Sequence, residues 1–179
     1  MREVSYRVAL GGIVSALCLV TMFLAGIMPA LYLLLPMVAG VLMMIIAVEV
    51  NTGWALLTYI AVSILSLFIT FDKEASLVFI MLFGHYPVIR FYIQRINSKI
   101  LQKVLKFTVF NGCAVAYFFV TVYLFGLDQM LDDMNEWGKY GSLIMLALCN
   151  VIFVLYDINL DFFYVMYRKK FMPKLRRKR

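Results

Sequence analysis

Histidine occurs once in this chain, at His85, and cysteine only three times, at Cys18, Cys113 and Cys149. One imidazole cannot build a metal site. Three cysteines scattered through apolar runs, with no C-x-x-C pair, make neither a disulfide framework nor a zinc site. They read as small apolar side chains in packed helices. The G-x-x-x-x-G-K-[ST] phosphate loop is missing, as are H-E-x-x-H and G-x-S-x-G. Asp157-x-x-x-Asp161 lacks the second aspartate pair of a metal-dependent lipid phosphotransferase. We therefore expect no ATP hydrolysis through a phosphate loop, no enzyme and no cofactor. Charge is scarce as well, at 15% of residues.

What fills the space is apolar. Of 179 residues, 64% are apolar or aromatic, against roughly 45–50% in soluble domains. The excess is gathered into runs. A bilayer span takes about 20 mostly apolar residues at 1.5 Å rise each, and Val8 to Ile27 is such a run without a charge. Further segments follow at about 30–48, 54–71, 75–93, 107–127 and 140–167, separated by turns around Pro29, Asn51-Thr52-Gly53 and Asp72-Lys73-Glu74. Pro36 falls inside the second and is expected to kink or trim its first turn, and Pro87 falls inside the fourth. The expected fold is all-α: a bundle of six transmembrane helices over residues 1–167, followed by a basic tail at 168–179. The first run follows Arg2 and Arg7 but has no small-x-small cleavage site. It reads as a retained helix rather than a secretory signal.

The net charge of +7 does not point to nucleic acid, because the basic residues lie between and after the apolar runs. Fifteen of the 17 Lys and Arg fall on one predicted side: Arg2, Arg7, Arg90, Arg95, Lys99, Lys103, Lys106 and eight in the tail. The positive-inside rule makes that side cytoplasmic. Both termini are then cytoplasmic, and the chain is a multi-pass protein of the cell membrane. Asp72, Glu74, Asp128, Asp132, Asp133 and Glu136 fall outside. The tail is expected to lie on anionic lipid, at about 1 kcal/mol per charge. The stretch Arg95–Lys106 has apolar and basic residues on opposite helical faces. It is either an interfacial helix or a continuation of its neighbours. Met130, Leu131, Met134 and Trp137 share a face in the outer connection, as in a short amphipathic lid.

Polar residues inside apolar runs are candidates for function, because charge in a membrane is costly and turns toward a partner or cavity. Asp157 and Asp161 are one helical turn apart and share a face. Counted from the outer ends of their segments, Arg90 and Asp157 lie at nearly equal depths of about 24 and 25 Å. An Arg90–Asp157 pair is predicted, which Glu49 can join. Its role is either helix fastening or ion coupling. His85 and Asn150 also match in depth, at about 16 and 15 Å. They are predicted to hydrogen-bond across helices or to contact a ligand. Gly12 and Ala16 form a small-x-x-x-small pair that allows close helix approach, inside the bundle or to another membrane protein.

Two motifs bear on family. Gly12-Ile13-Val14-Ser15-Ala16 approximates an Ala-x-x-x-Ala pattern in the first helix, and Leu35-Pro36-Met37-Val38-Ala39-Gly40 has a Leu-Pro…Gly form. With the six-span layout, the chain resembles the substrate-binding S components of energy-coupling factor transporters. That resemblance implies a small-molecule pocket, for a ligand such as a vitamin, open to the outside between the outer halves of segments four to six. Tyr32, Tyr117, Trp137 and Tyr140 are its candidate residues. It also implies docking through Gly12 and Ala16 onto a transmembrane coupling subunit, with energy from separate ATPase subunits. A second resemblance, to small six-helix proteins of the MreD type, implies a membrane scaffold in bacterial cell-wall or cell-shape assembly. A proton-coupled carrier built on Asp157 and Asp161 is the third alternative.

Overall fold

A computed structural model describes residues 2–124, 126 and 138–171. Among them every regular element is helical. Helix α1 is Arg2–Ile27, α2 is Leu34–Glu49 and α3 is Thr52–Ile69. Helices α4 (Lys73–Val78) and α5 (Tyr86–Ile93) are the two halves of one broken helix, joined by a π turn at Phe79–Phe83. Helix α6 is Lys99–Phe119, and α7 is Gly141–Met166. Five helical stretches are long and apolar enough to cross a membrane: Val4–Ile27, Thr52–Ile69, Lys73–Ile93, Lys99–Leu124 and Gly138–Lys169. The sixth, α2, has 16 residues. That is about 24 Å of helix against a hydrocarbon core of about 30 Å.

Helix starts follow local chemistry. The Asn51 side chain accepts from the Trp54 N–H at 2.8 Å and starts α3. Asp72 accepts from the N–H groups of Glu74 and Ala75 and starts α4. Ser98 accepts from Leu101 N–H and starts α6. Each side chain satisfies an N–H that has no partner inside its helix. The Ser98 cap settles the two readings of Arg95–Lys106: from Lys99 onward this stretch continues into α6.

The broken helix is the central post. In its most apolar stretch 67% of residues are buried, against 17–28% in the other four long helices. Pro87 causes the break. It has no N–H to give to the carbonyl four residues back, at Phe83. Instead Pro87 sits in the first turn of α5, where no intrahelical donor is needed. The chain adapts upstream by π winding, with Gly84 N–H donating to Phe79 O at 2.7 Å. That frees the carbonyls of Ile80 and Phe83. Tyr59 Oη donates to Ile80 O at 2.6 Å, and the His85 ring Nδ1 lies 3.2 Å from the same oxygen. Tyr156 Oη donates to Phe83 O at 3.1 Å. Helix α2 meets the break at Gly40, where a Cβ would collide with Tyr156 Oη and the Phe83 carbonyl. In lipid, helix association depends on such close packing and interhelical hydrogen bonds rather than on burial from water.

Candidate ligand cavity and ion network

Helix α7 carries one inward stripe that does different work along its length. Toward its C-terminus the stripe is large: Phe153, Tyr156 and Leu160 are all buried. Phe153 stacks on Phe110 of α6 with ring centroids 4.2 Å apart, and Tyr156 meets Phe83 edge-on at 4.8 Å. Each such aromatic pair adds about 0.5–1.5 kcal/mol beyond burial. Toward its N-terminus the same stripe holds Ser142, Leu146 and Cys149. Opposite them stand Ala114 on α6 and Thr121 in the π turn Val120–Leu124 that follows it. Ser142, Cys149, Ala114 and Thr121 are small, and a cavity of about 1100 Å³ lies here between α4, α6 and α7. Drug-sized ligand sites run about 300–1,000 Å³.

The walls of this cavity are mainly apolar, with Val78, Leu82, Phe118 and Ile152 among them. Its polar groups gather where α3 passes into α4: Tyr32, Asp72, Lys73, Glu74, Tyr117 and Thr121 all line it. Tyr117 lies within electrostatic range of Glu74, Tyr32 and Asp72. Thr121 Oγ1 is buried beside the Tyr117 phenol, yet makes no hydrogen bond of normal geometry.

At the far end of the bundle is a charge network. Arg90 on α5, only 2% exposed, donates from Nε to Asp157 Oδ1 at 2.7 Å and pairs through Nη2 with Asp161. Lys106 Nζ on α6 lies 2.7 Å from Asp157 Oδ2. Tyr86 Oη donates to Asp157 Oδ1 at 2.7 Å. With its amide turned, Gln94 accepts from Arg90 Nη1 and Nη2 at 3.3 and 3.1 Å. Two cations thus meet two carboxylates, and Asp157 holds three strong donors from α5 and α6. This arrangement ties three helices together and offsets the large desolvation penalty of a buried guanidinium.

Comparison with known protein families, curated proteins and solved structures returned no match.

The residues singled out from sequence divide accordingly. Tyr32 and Tyr117 line the cavity. Tyr140 does not; it stands 66% exposed at the start of α7. Trp137, with the amphipathic stretch around it, lies outside the described residues, as do residues 172–179 of the basic tail. His85 and Asn150 do not pair. His85 faces Ile80 O and, through Nε2, Cys113 Sγ at 3.5 Å. Asn150 exchanges two hydrogen bonds with Asn111, at 3.0 and 2.9 Å. They meet different neighbours: the broken helix turns His85 onto its own freed carbonyl. Glu49 accepts from Tyr167 Oη at 2.9 Å instead of joining Arg90, because it ends α2 on the side nearer the end of α7. Gly12 and Ala16 are exposed on the outer face of α1, and a Cβ at Gly12 would meet nothing within 4 Å. They do not pack inside the bundle.

Asp72, Glu74, Thr121 and the Ser142–Cys149 stripe were not identified as site residues beforehand. The small residues Ser142 and Cys149, two helical turns apart and just before Phe153 and Tyr156 on the same face, are the available signal.

Proposed function

We propose that this chain is an integral membrane protein of six spans with both termini in the cytoplasm, and that it binds a small molecule from outside for uptake. In this reading α2 completes its span with the short 3₁₀ turn at Pro29–Leu31, and the clustering of Lys and Arg sets the orientation. The observation that carries it is the cavity of about 1100 Å³, whose polar end lies at the α3–α4 turn. The Arg90 network then sits at the cytoplasmic boundary, and the cavity opens at the opposite end. Motion of the substrate is driven by separate ATPase subunits through a transmembrane coupling subunit. The open Gly12–Ala16 face of α1 is the docking surface for that subunit, because small residues let a second helix approach closely.

Purification from native membranes in mild detergent, with mass spectrometry of bound small molecules and co-purifying proteins, tests this. A retained small molecule together with ATPase and coupling subunits is the expected result. Co-purification with wall-synthesis proteins and no small molecule would replace it with the MreD-like scaffold, which needs the α1 face but no cavity.

A further inference from the structure

The chemistry of the cavity narrows its ligand, on the reading that the cavity is a ligand site. At its polar end, by the α3–α4 turn, every polar side chain except that of Lys73 can accept a hydrogen bond. Asp72 and Glu74 are carboxylates, Tyr32 and Tyr117 are phenols, and Thr121 has a hydroxyl. Lys73 is the one cation among the described lining residues, and its ammonium is already held by backbone carbonyls. Its Nζ donates to Leu67 O at 2.6 Å and Thr70 O at 3.2 Å, capping the last turn of α3. The N-terminus of α4 is not open to an anion either. Asp72 Oδ1 already accepts from Glu74 N–H and Ala75 N–H. The Thr121 oxygen is buried without a hydrogen bond of normal geometry, an unfavourable state unless a ligand group fills the role. Phe71, Phe118 and the two tyrosine rings stand around this end, and aromatic faces attract cations. The remaining wall is mainly aliphatic, with Ser142 and Cys149 on α7.

We propose that the ligand is an organic cation: an amine whose ammonium sits among Glu74, Asp72, Tyr117 and Thr121, with an apolar body extending along α7 toward Cys149 and Ile152. An ammonium brings three donors and no acceptor, the complement of an acceptor-rich end. A carboxylate or phosphate ligand would face two carboxylates, with only the neutral hydroxyls of Tyr32, Tyr117 and Thr121 to donate to it.

Cys149 provides a local reporter, because it lines the cavity. Cys113 serves as the control, because it lies against His85 and is not part of the wall. The full chain in phosphatidylcholine nanodiscs is alkylated with N-ethylmaleimide, and each cysteine is followed by peptide mass spectrometry. Three probes of matched shape are added: 4-phenylbutylamine, 4-phenylbutanol and 4-phenylbutyrate. The amine should protect Cys149 at a concentration about tenfold below the alcohol, as expected for a hydrogen bond to a charged group, with the carboxylate weakest and Cys113 unaffected. Glu74→Gln should raise the amine concentration needed for protection and so narrow the gap between amine and alcohol, with Asp72 still in place. Equal or better protection by the alcohol or the carboxylate would overturn the cation assignment and leave a ligand site of another class. If none of the three protects Cys149, the cavity is not a ligand site, and the proposed function falls with it.

Discussion

Replacing Arg90 with methionine removes a charge while keeping most of the side chain's length. The magnitude follows from its surroundings. Arg90 is 2% exposed, so solvent screening gives no discount for its contact with Asp157, itself 20% exposed. The contact with Asp161 counts for little, because that carboxylate is 60% exposed. Breaking one side of a buried pair costs about 3–5 kcal/mol. The lower end applies here, since Asp157 keeps Lys106 and Tyr86. Arg90→Met should therefore destabilise by about 3 kcal/mol. Asp157→Leu should cost more, because it strands the buried guanidinium. The double substitution should cost less than the sum of the two, by about 2 kcal/mol, since the remaining Lys106 can reach toward water along its flexible stem. Unfolding by SDS titration in mixed micelles measures all three variants. Additive effects, or an Arg90→Met protein within about 0.5 kcal/mol of the parent, would refute the clamp.

Three further outcomes follow from the packing. Gly40→Ala should lower the thermal midpoint by the equivalent of about 1–3 kcal/mol, because the new methyl overlaps Tyr156 Oη and the Phe83 carbonyl. A fluorescence-detected gel-filtration melt reads it. Gly12→Ala should leave stability unchanged or raise it by about 0.5–1 kcal/mol, since nothing lies within 4 Å; loss of stability in the same melt would put that face inside the bundle. Asn150→Leu should destabilise by about 1 kcal/mol, and Asn111→Leu added to it should cost little more, because the two amides serve each other. A thermodynamic cycle on the two single variants and the double variant checks this.

Depth was readable in the sequence because helical rise is fixed, and this placed Arg90 level with Asp157. Direction was not. The same counting paired His85 with Asn150, yet the winding defect upstream of Pro87 shifted every later side chain around the axis. Helix type was plain from apolar length, but the early start of α6 depended on Ser98 as a cap. The cavity was hidden for a different reason. It lies between facing stripes on α6 and α7, and a stripe that mixes small and large residues looks like ordinary packing until its partner is known. Tyr32 and Tyr117 were placed near it from depth and aromatic character; the carboxylates beside them read as turn residues, and Asp72 is indeed also a helix cap.

The proposed position of the cavity, on the outer side of a six-span protein, is tested most directly by cysteine accessibility in intact cells. Ser142 lines the cavity mouth on α7, and Lys103 is exposed near the start of α6 at the other end of the molecule. In a chain with the three native cysteines replaced by serine, Ser142→Cys should react with a membrane-impermeant thiol reagent added outside. Lys103→Cys should react only after the cells are opened. The reverse pattern, or both positions reacting from the same side, would contradict the account.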